Sequence, residues 1–367
     1  MDPDRIQRLT ELMVAQGVDC VAVMPGANLR YLAGVSFRLS ERPTLAFFSA
    51  KVKPAAVVPS FEVPRFTAGS TSIDWQLFSW PDEAGPAAAF AAAAGALGLT
   101  GKTLAIEENV LRVRELRLLE AGAPGVHFAP AEPILAAMRI RKDAAEVAKM
   151  RQAVAITEEA FEAVLPDIRV GMSERSIAER LTMELKRGGA EALAFDLAVV
   201  SGPNSALPHG QPGDRKLQAG ELLLFDFGVT VDGYASDITR TVAVGEIGSE
   251  LRRVYDVVRR ANEAGRAAGR PGVEIQEVDR AARKVIVEAG FGSYFTHRTG
   301  HGLGLDIHEA PYACEGDTTI LEPGMTFTVE PGIYLPGKGG VRIEDDVLIT
   351  LAGNDSLTTF DRELTVL

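Results

Sequence analysis

The sequence predicts an α/β domain at residues 1–138 followed by an α+β domain at residues 139–367. Three observations predict this order of domains. In the first 138 residues, apolar runs of strand length alternate with segments of helical periodicity. At the basic stretch RIRK, residues 139–142, the alternation ends and a long amphipathic helix begins. From residue 193 onward, short strands separated by Gly/Pro turns predominate.

The first domain is predicted to contain a mixed or parallel sheet with helices between its strands. Gly17 ends the first helix, and Pro25 ends the first strand. A polar and basic loop at residues 36–43 carries Arg38 and Arg42. Helices are predicted at residues 4–16, 28–32, 60–68, 86–98 and 109–121, and strands at residues 18–24, 44–49, 55–59, 75–79 and 103–107. Residues 131–138 are expected to be the last piece of this domain.

The second domain is predicted to repeat one order of elements, two helices followed by strands. Ser173 is the expected N-cap of its second helix, and Gly188 is the expected stop. The order suggests two similar halves, although no sequence repeat is evident. Helices are predicted at residues 143–165, 173–187, 249–268 and 274–289, and strands at residues 195–201, 221–227, 237–244, 325–330 and 341–349.

Composition limits the classes of partner and the compartment. The 367 residues carry a net charge of −12, which argues against a general nucleic-acid binder. Two cysteines cannot form a disulfide framework and indicate a reducing compartment. The first residues lack an apolar signal segment, and the Ala-rich run of 11 residues at 87–97 is too short to span a bilayer. We therefore expect a cytoplasmic protein with no nucleic-acid or membrane partner.

The stretch TGHGLGLDIHE, residues 299–309, is the first indication of chemistry. It places His301 and His308 among glycines at positions 300, 302 and 304. Polar residues among glycines suggest a backbone pressed close to something that it binds. His301 is therefore predicted to be a metal ligand.

Two aspartates are predicted to lie close together on a hairpin. The strand LLLFDFG contains Asp226, a turn at Asp232 and Gly233 follows, and the chain returns through Asp237. A tight Asp-Gly turn would place Asp226 opposite Thr239, with Asp237 as its diagonal neighbour. Such neighbours lie ~7–8 Å apart or closer, within reach of a shared cation or a pair of cations. The sequence alone is equally compatible with two exposed turn residues.

Two glutamates complete a possible ligand set. Glu330 ends the strand MTFTVE, and Glu344 lies between apolar residues in VRIEDDV. A glutamate on a buried strand face must be paired or ligated. The alternative is a solvated face from which Arg342, Glu344 and Asp346 all point outward. Oxygen-rich ligation with one histidine favours Mn²⁺ over Zn²⁺, with Co²⁺ as a common substitute. Five ligands suit two ions ~3.5–4 Å apart.

Five motifs in order now carry a family resemblance. LLFDFG, SDITRT, TGHGLGLDIHE, TVEPGIY and GGVRIEDD resemble the proline-peptide branch of the methionine aminopeptidase, prolidase and creatinase superfamily. The resemblance covers residues 140–367, and the N-terminal domain is similar to the creatinase-type domain. It implies an α+β pita-bread catalytic domain with a dinuclear site. Its implied ligands are Asp226, Asp237, His301, Glu330 and Glu344.

The resemblance also implies the role of each ligand. Asp237 and Glu344 would bridge the two metals, Asp226 would cap one metal, and His301 and Glu330 would bind the other. A bridging hydroxide would attack the scissile carbonyl. Every ligand position is filled, unlike in the metal-free relatives. An enzyme is therefore expected, and a non-catalytic peptide-binding module on the same scaffold is the remote alternative.

Further roles follow from the same resemblance. Glu330 would accept the water proton and pass it to the proline nitrogen. His308 would hydrogen-bond the tetrahedral intermediate. His209 would position the substrate, His297 would shape the proline pocket, and Arg342 would hold a ligand carboxylate.

The choice among proline peptidases depends on how a free carboxylate is bound. Many prolidases have a sequence similar to HExPR that begins at the histidine corresponding to His308. In this chain Tyr312 occupies the arginine position of that motif. The family implies a homodimer whose loop at 36–43 would reach the partner's site with Arg38 and Arg42. Both are otherwise ordinary solvated charges. The sequence predicts an Xaa-Pro dipeptidase acting on small peptides with proline second. The alternative is an Xaa-Pro aminopeptidase acting on longer peptides, and another reaction on the same metal scaffold stays open.

Overall fold

The computed structural model describes residues 3–70 and 73–367. Two compact units make up the chain, Met1–Arg139 and Ile140–Leu367. Within the described residues, no helix combines the length and the apolar character that crossing a membrane requires.

The N-terminal unit contains one mixed six-stranded sheet in the order β4-β3-β2-β1-β5-β6. Strand β1 pairs parallel with β5 and antiparallel with β2. The helices are α1 Pro3–Ala15, α2 Ala27–Ala33, α3 Val63–Gly69, α4 Ala87–Leu97, α5 Val113–Gly122 and α6 Glu132–Arg139. The strands are β1 Cys20–Val23, β2 Leu45–Ser49, β3 Ala55–Pro59, β4 Gln76–Trp80, β5 Thr103–Ile106 and β6 His127–Pro130.

Two predictions for this unit were wrong in detail. Strand β6 was not predicted, because its four residues HFAP are only partly buried and show no apolar alternation. The single helix predicted at residues 60–68 is a 3-10 turn, Ser60–Glu62, followed by α3. Pro64 lies in the first turn of α3, where its missing N–H costs nothing.

Four helices of the C-terminal unit follow the predicted pairs. They are α7 Ala144–Val164, α8 Glu174–Arg187, α9 Ser249–Ala268 and α10 Gln276–Glu288. Asp143 and Glu146 form a capping box at the start of α7, and Ser173 caps α8 as predicted. Helices α7 and α8 share a core with Phe225 and Phe227.

The strands of this unit form four sheets. They are β7 Ala192–Leu193, β8 Ala198–Ser201, β9 Glu221–Phe227, β10 Val229–Val231, β11 Tyr234–Ala235, β12 Ile238–Val244, β13 Gly300–Gly302, β14 Glu309–Ala313, β15 Thr326–Val329, β16 Gly332–Leu335, β17 Gly339–Arg342, β18 Asp345–Thr350 and β19 Gly353–Ser356. Their orders are β11-β10-β7, β12-β9-β8, β14-β13-β15-β18-β19 and β16-β17.

The strand predicted at residues 341–349 was wrong as a single element. It is two strands in different sheets, because β17 pairs with β16 whereas β18 pairs with β15. The break falls at Glu344, whose backbone N–H donates to the Thr239 carbonyl. Arg240 donates to the carbonyls of both residues. The chain therefore changes sheets at Glu344.

Candidate metal centre

The hairpin that carries the two aspartates has the predicted register. Thr239 pairs with Asp226 across β12 and β9. The turn residues Asp232 and Gly233 have φ angles of 48° and 79°, as a primed two-residue turn requires. Asp237 is buried and Asp226 is partly buried. The alternative of two exposed turn residues is therefore wrong.

The glycines around His301 serve the packing of strands. A Cβ on Gly300 would lie 1.8 Å from the Thr328 carbonyl oxygen, and one on Gly302 would lie 2.3 Å from the Ala310 carbonyl oxygen. The expectation that these glycines press the backbone against a bound group is corrected. They let β13 fit between β14 and β15, and this fit fixes where His301 points.

The His301 imidazole is buried, neutral and directed at carboxylates. Its Nδ1 donates to the Gly302 carbonyl at 3.1 Å, which leaves Nε2 with a free lone pair. Nε2 lies 3.3 Å from Glu330 Oε1 and 3.6 Å from Asp237 Oδ2. Burial, and after it the neighbouring His308, lowers the pKa of His301 to about 3. A neutral imidazole whose Nε2 faces two carboxylates could bind a metal ion together with them.

The carboxylates of the site destabilise one another. Burial and then the charges of Glu344 and Asp226 raise the pKa of Asp237 well above its ordinary value. Burial and then Glu330 do the same to the pKa of Glu344, and burial raises the pKa of Glu330 to about 7. Because all of these groups accept and none donates, a divalent cation among them removes the cost.

The donor set fits a divalent metal. Asp237, His301 and Glu344 each offer one ligand atom, and these atoms lie within 4.8 Å of one another. Glu344 is 2% exposed, so the alternative of a solvated strand face is wrong. The set is oxygen-rich with one imidazole, which suits hard or borderline cations.

Arg342 forms hydrogen bonds with residues around the metal centre. It is buried and donates to Asp226 Oδ2 at 2.5 Å, to Thr239 Oγ1 at 3.0 Å and to the Tyr334 hydroxyl at 2.9 Å. Thr239 in turn donates to Glu344 Oε2. These contacts orient two of the carboxylates without adding a ligand.

His297 continues this network. Its Nδ1 donates to the Arg298 carbonyl at 2.7 Å, and its Nε2 lies 2.8 Å from the Tyr334 hydroxyl. Burial, and then the charge of Arg342, lowers the pKa of His297 to about 4. The imidazole is therefore neutral, and its Nε2 accepts a hydrogen bond from the Tyr334 hydroxyl. Tyr334 lies in the motif TVEPGIY, but its sequence position did not reveal this hydrogen bond.

A cavity of about 400 Å³ opens onto the centre. His209 and His308 are exposed residues that line it, and the His308 ring centroid lies 4.3 Å from that of His301. Burial and then the charge of Arg298 lower the pKa of His308. Arg298 also lines the cavity, a position that sequence reasoning missed although it directly follows His297.

Three further residues, Tyr312, Arg38 and Arg42, were predicted to bind substrate. Tyr312 is not among the residues that line the cavity; its ring lies 4.5 Å below the Arg298 guanidinium. Arg38 is an exposed residue of the N-terminal unit. Arg42 pairs there with Asp82 at 2.8 Å. The substrate-binding role of these three residues therefore stays a prediction.

Comparisons with known proteins agree with this geometry. Residues 148–351 match the model of metallopeptidase family M24, and residues 5–141 match the Creatinase/Prolidase N-terminal domain. An Xaa-Pro dipeptidase of Pyrococcus horikoshii is 34% identical over 362 residues, which cover 98% of each chain.

Solved structures show the same similarity. A recombinant prolidase from Thermococcus sibiricus superposes with a TM-score of 0.94 at 35% identity over 100% of both chains. An X-Pro aminopeptidase from Thermotoga maritima gives a TM-score of 0.87 at 32% identity over 99% of both chains. The predicted fold class, a creatinase-like α/β domain followed by an α+β pita-bread catalytic domain, is confirmed.

Proposed function

We propose that this chain, which belongs to metallopeptidase family M24, hydrolyses the Xaa-Pro bond of dipeptides as an Xaa-Pro dipeptidase, or prolidase. The observation that carries the proposal is the convergence of five ligand-type side chains on one cavity. They are Asp226, Asp237, His301, Glu330 and Glu344. The names of the relatives from Pyrococcus horikoshii and Thermococcus sibiricus support the substrate class.

These five residues would hold two divalent cations, with Mn²⁺ proposed for its preference for oxygen ligands and Co²⁺ or Zn²⁺ as substitutes. When bound, the pair supplies Lewis acidity and a nucleophile at neutral pH. The oxygen-rich set with a single imidazole supports Mn²⁺ over Zn²⁺.

Glu330 is proposed to move the proton. Its side chain is 15% exposed, whereas Asp237 is 7% exposed, so Glu330 is more open to water entering the cavity. It would take a proton from water and deliver it to the departing proline nitrogen. The 4.0 Å separation from His297 Nδ1 keeps this carboxylate beside the wall proposed to hold proline.

His308 and His209 are proposed to act on the substrate. Both line the cavity, and neither is among the five ligand residues. His308 would donate to the carbonyl oxygen as that oxygen gains negative charge. His209, on the loop that follows β8, would orient the peptide. Substituting either by alanine should preserve the metal and reduce kcat.

We also propose a cytoplasmic homodimer. Cys20 and Cys314 are free thiols, as is typical of a reducing compartment. The exposed Arg38 and the half-buried Arg42 would lie near the cavity of a second copy, as the family resemblance implies. Sedimentation of wild-type protein at micromolar concentration tests the dimer, and a monomer would contradict it.

Activity on longer peptides is the second candidate function. The similarity to an aminopeptidase structure and the tyrosine at position 312 favour it. The test compares Leu-Pro with Leu-Pro-Gly as substrates of Mn²⁺-loaded protein, with chelator-treated protein as the control. Faster cleavage of Leu-Pro is expected. Cleavage of the tripeptide alone would establish the aminopeptidase, and cleavage of neither would contradict both.

A further inference from the structure

Two arginines line the cavity, and they differ in what they contact. Arg342 is occupied, because it donates to Asp226, Thr239 and Tyr334. The Arg298 side chain forms no hydrogen bond or ion pair with any residue in the described ranges 3–70 and 73–367. A guanidinium with five unused N–H donors on a cavity wall is available to an anionic ligand.

The ring of Tyr312 holds this guanidinium beside the metal centre. The Arg298 Cζ lies 4.5 Å from the ring centroid. Tyr312 pairs directly with His301 across β14 and β13, so both side chains lie on one face of the sheet. Stacking leaves the N–H groups at the edge of the guanidinium plane free to form hydrogen bonds.

The position of Arg298 relative to the reacting groups supports a role in binding. It precedes the ligand His301 by three residues, and its carbonyl accepts from His297. Arg298 and His308 line the same cavity. After burial, the charge of Arg298 is the next largest cause that lowers the pKa of His308. Arg298 therefore lies close to the histidine proposed to contact the substrate.

The free carboxylate of a dipeptide would lie close to such a guanidinium. In Xaa-Pro, the carboxylate carbon is two bonds from the proline nitrogen, about 2.5 Å away. It must therefore bind next to the scissile bond, in a cavity whose walls carry several carboxylates. A guanidinium on that wall can form two charge-assisted hydrogen bonds with the free carboxylate.

We infer that Arg298 binds the free carboxylate of the Xaa-Pro dipeptide and that Tyr312 is its positioning residue. The inference rests on the proposed function. It explains how the chain can act on dipeptides although Tyr312 occupies the position of the arginine in the HExPR motif of many prolidases. In a longer peptide the proline carboxylate is an amide, and Arg298 gains no anionic partner.

The test compares Leu-Pro with its neutral analogue Leu-Pro-NH₂ on wild type and Arg298→Ala, both loaded with Mn²⁺. On Leu-Pro, kcat/KM should fall on the order of 100-fold, mainly through KM. On the amide it should change by less than about threefold. Equal losses on both substrates, or no loss on Leu-Pro, would overturn the inference.

Conservative variants separate a binding role from a structural one. Arg298→Lys keeps the charge without the planar fork and should recover about tenfold of the loss. Tyr312→Phe keeps the ring and should retain the KM for Leu-Pro, whereas Tyr312→Ala should raise it several-fold at unchanged kcat. A similar KM for both Tyr312 variants would overturn the positioning role. Arg187→Ala is the control, since Arg187 is 73% exposed and pairs with Glu184.

A binding measurement separates this inference from the proposed function. Calorimetry compares L-proline with L-prolinamide on Mn²⁺-loaded wild type and Arg298→Ala. We expect wild type to prefer proline and Arg298→Ala to lose the preference. This result in a protein that cleaves neither peptide would uphold the carboxylate site and refute the dipeptidase. A wild type without the preference would overturn the inference whatever it cleaves.

Discussion

Glu344 and Asp345 are neighbours in sequence but belong to two buried clusters with opposite charge balance. Asp345 lies 2.8 Å from Arg240, 2.8 Å from Arg362 and 3.3 Å from Arg266. Although burial alone would raise it, these guanidinium groups hold the pKa of Asp345 below its ordinary value. Burial and the nearby carboxylates raise the pKa of Glu344.

The difference separates a structural cluster from a ligand site. The Asp345 cluster contains its own cations and needs nothing from outside. The Glu344 cluster consists of acceptors and requires an added cation. The two are coupled, because Arg240 also donates to the backbone carbonyls of Thr239 and Glu344. The balanced cluster thereby fixes the backbone that presents a ligand of the unbalanced one.

The largest effect is expected from Asp237→Asn in the unbalanced cluster. Turnover of Leu-Pro should fall more than about a thousandfold, because the neutral amide cannot replace a charged ligand. The metal-free variant should be at least as stable as metal-free wild type, since one repelling charge is gone. Steady-state kinetics and thermal unfolding measure the two effects. A variant that turns over like wild type would refute the ligand role.

Asp345→Asn should have the opposite signature in the balanced cluster. It removes the charged partner of the buried Arg240 and should cost about 3–5 kcal/mol of unfolding free energy, with or without metal. Urea unfolding measures the loss. The control is Asp355→Asn, whose partner is Arg151 at the surface and which should cost less than about 1 kcal/mol. Equal losses of unfolding free energy in both variants would show that the buried cluster stabilises the fold no more than a surface ion pair does.

The two clusters should respond to pH in opposite directions. Glu330 has a pKa raised from 4.5 to about 7, so the folded metal-free protein binds its proton more tightly than the unfolded chain does. The contribution of Glu330 to the free energy of unfolding is complete below pH 4.5. It falls by on the order of 3 kcal/mol as the pH rises to 7. Asp345, with a lowered pKa, instead loses its contribution as pH falls below 3.8.

Urea unfolding of metal-free protein between pH 4.5 and 7.5 measures the first of these effects. The same series with Mn²⁺ should lack the loss, because the cation replaces the proton. Glu330→Gln should flatten the metal-free profile. Metal-free wild type that is no less stable at pH 7 than at pH 5 would contradict the charge assignment.

The smallest effect is expected from Thr239→Val. The hydroxyl donates to Glu344 and accepts from Arg342, so its loss should weaken metal affinity about tenfold. Thr241→Val is matched to it, because Thr241 is buried on the same strand and bonds only the Arg342 backbone. Mn²⁺ titration should distinguish the two variants. Equal Mn²⁺ affinities of the two variants would show that the Thr239 hydroxyl does not support metal binding.

The sequence predicted what local rules determine. The Asp232–Gly233 turn sets the hairpin register, and the register places Asp226 and Asp237 together. Helix α7 followed from its amphipathic period, and the cap of α8 followed from Ser173. These features depend on residues close in sequence, so pattern and turn chemistry were sufficient for them.

What the sequence did not predict depends on distant contacts. The break at Glu344 follows from Arg240, more than a hundred residues away. The exposure of Arg298 to the cavity follows from its stacking on Tyr312, which strand pairing brings near. The glycines at 300 and 302 were assigned to a bound group because strand spacing was unknown. Side-chain direction across sheets is not encoded in a short window.

The most direct test of the central claim is an anomalous difference map from crystals of the wild-type protein soaked in Mn²⁺. We expect two peaks ~3.5–4 Å apart among Asp237, Glu344 and His301. We expect the same two peaks in a map from Mn²⁺-soaked crystals of Asp345→Asn. No peak, a single peak, or peaks away from these residues would contradict a dinuclear centre in the unbalanced cluster.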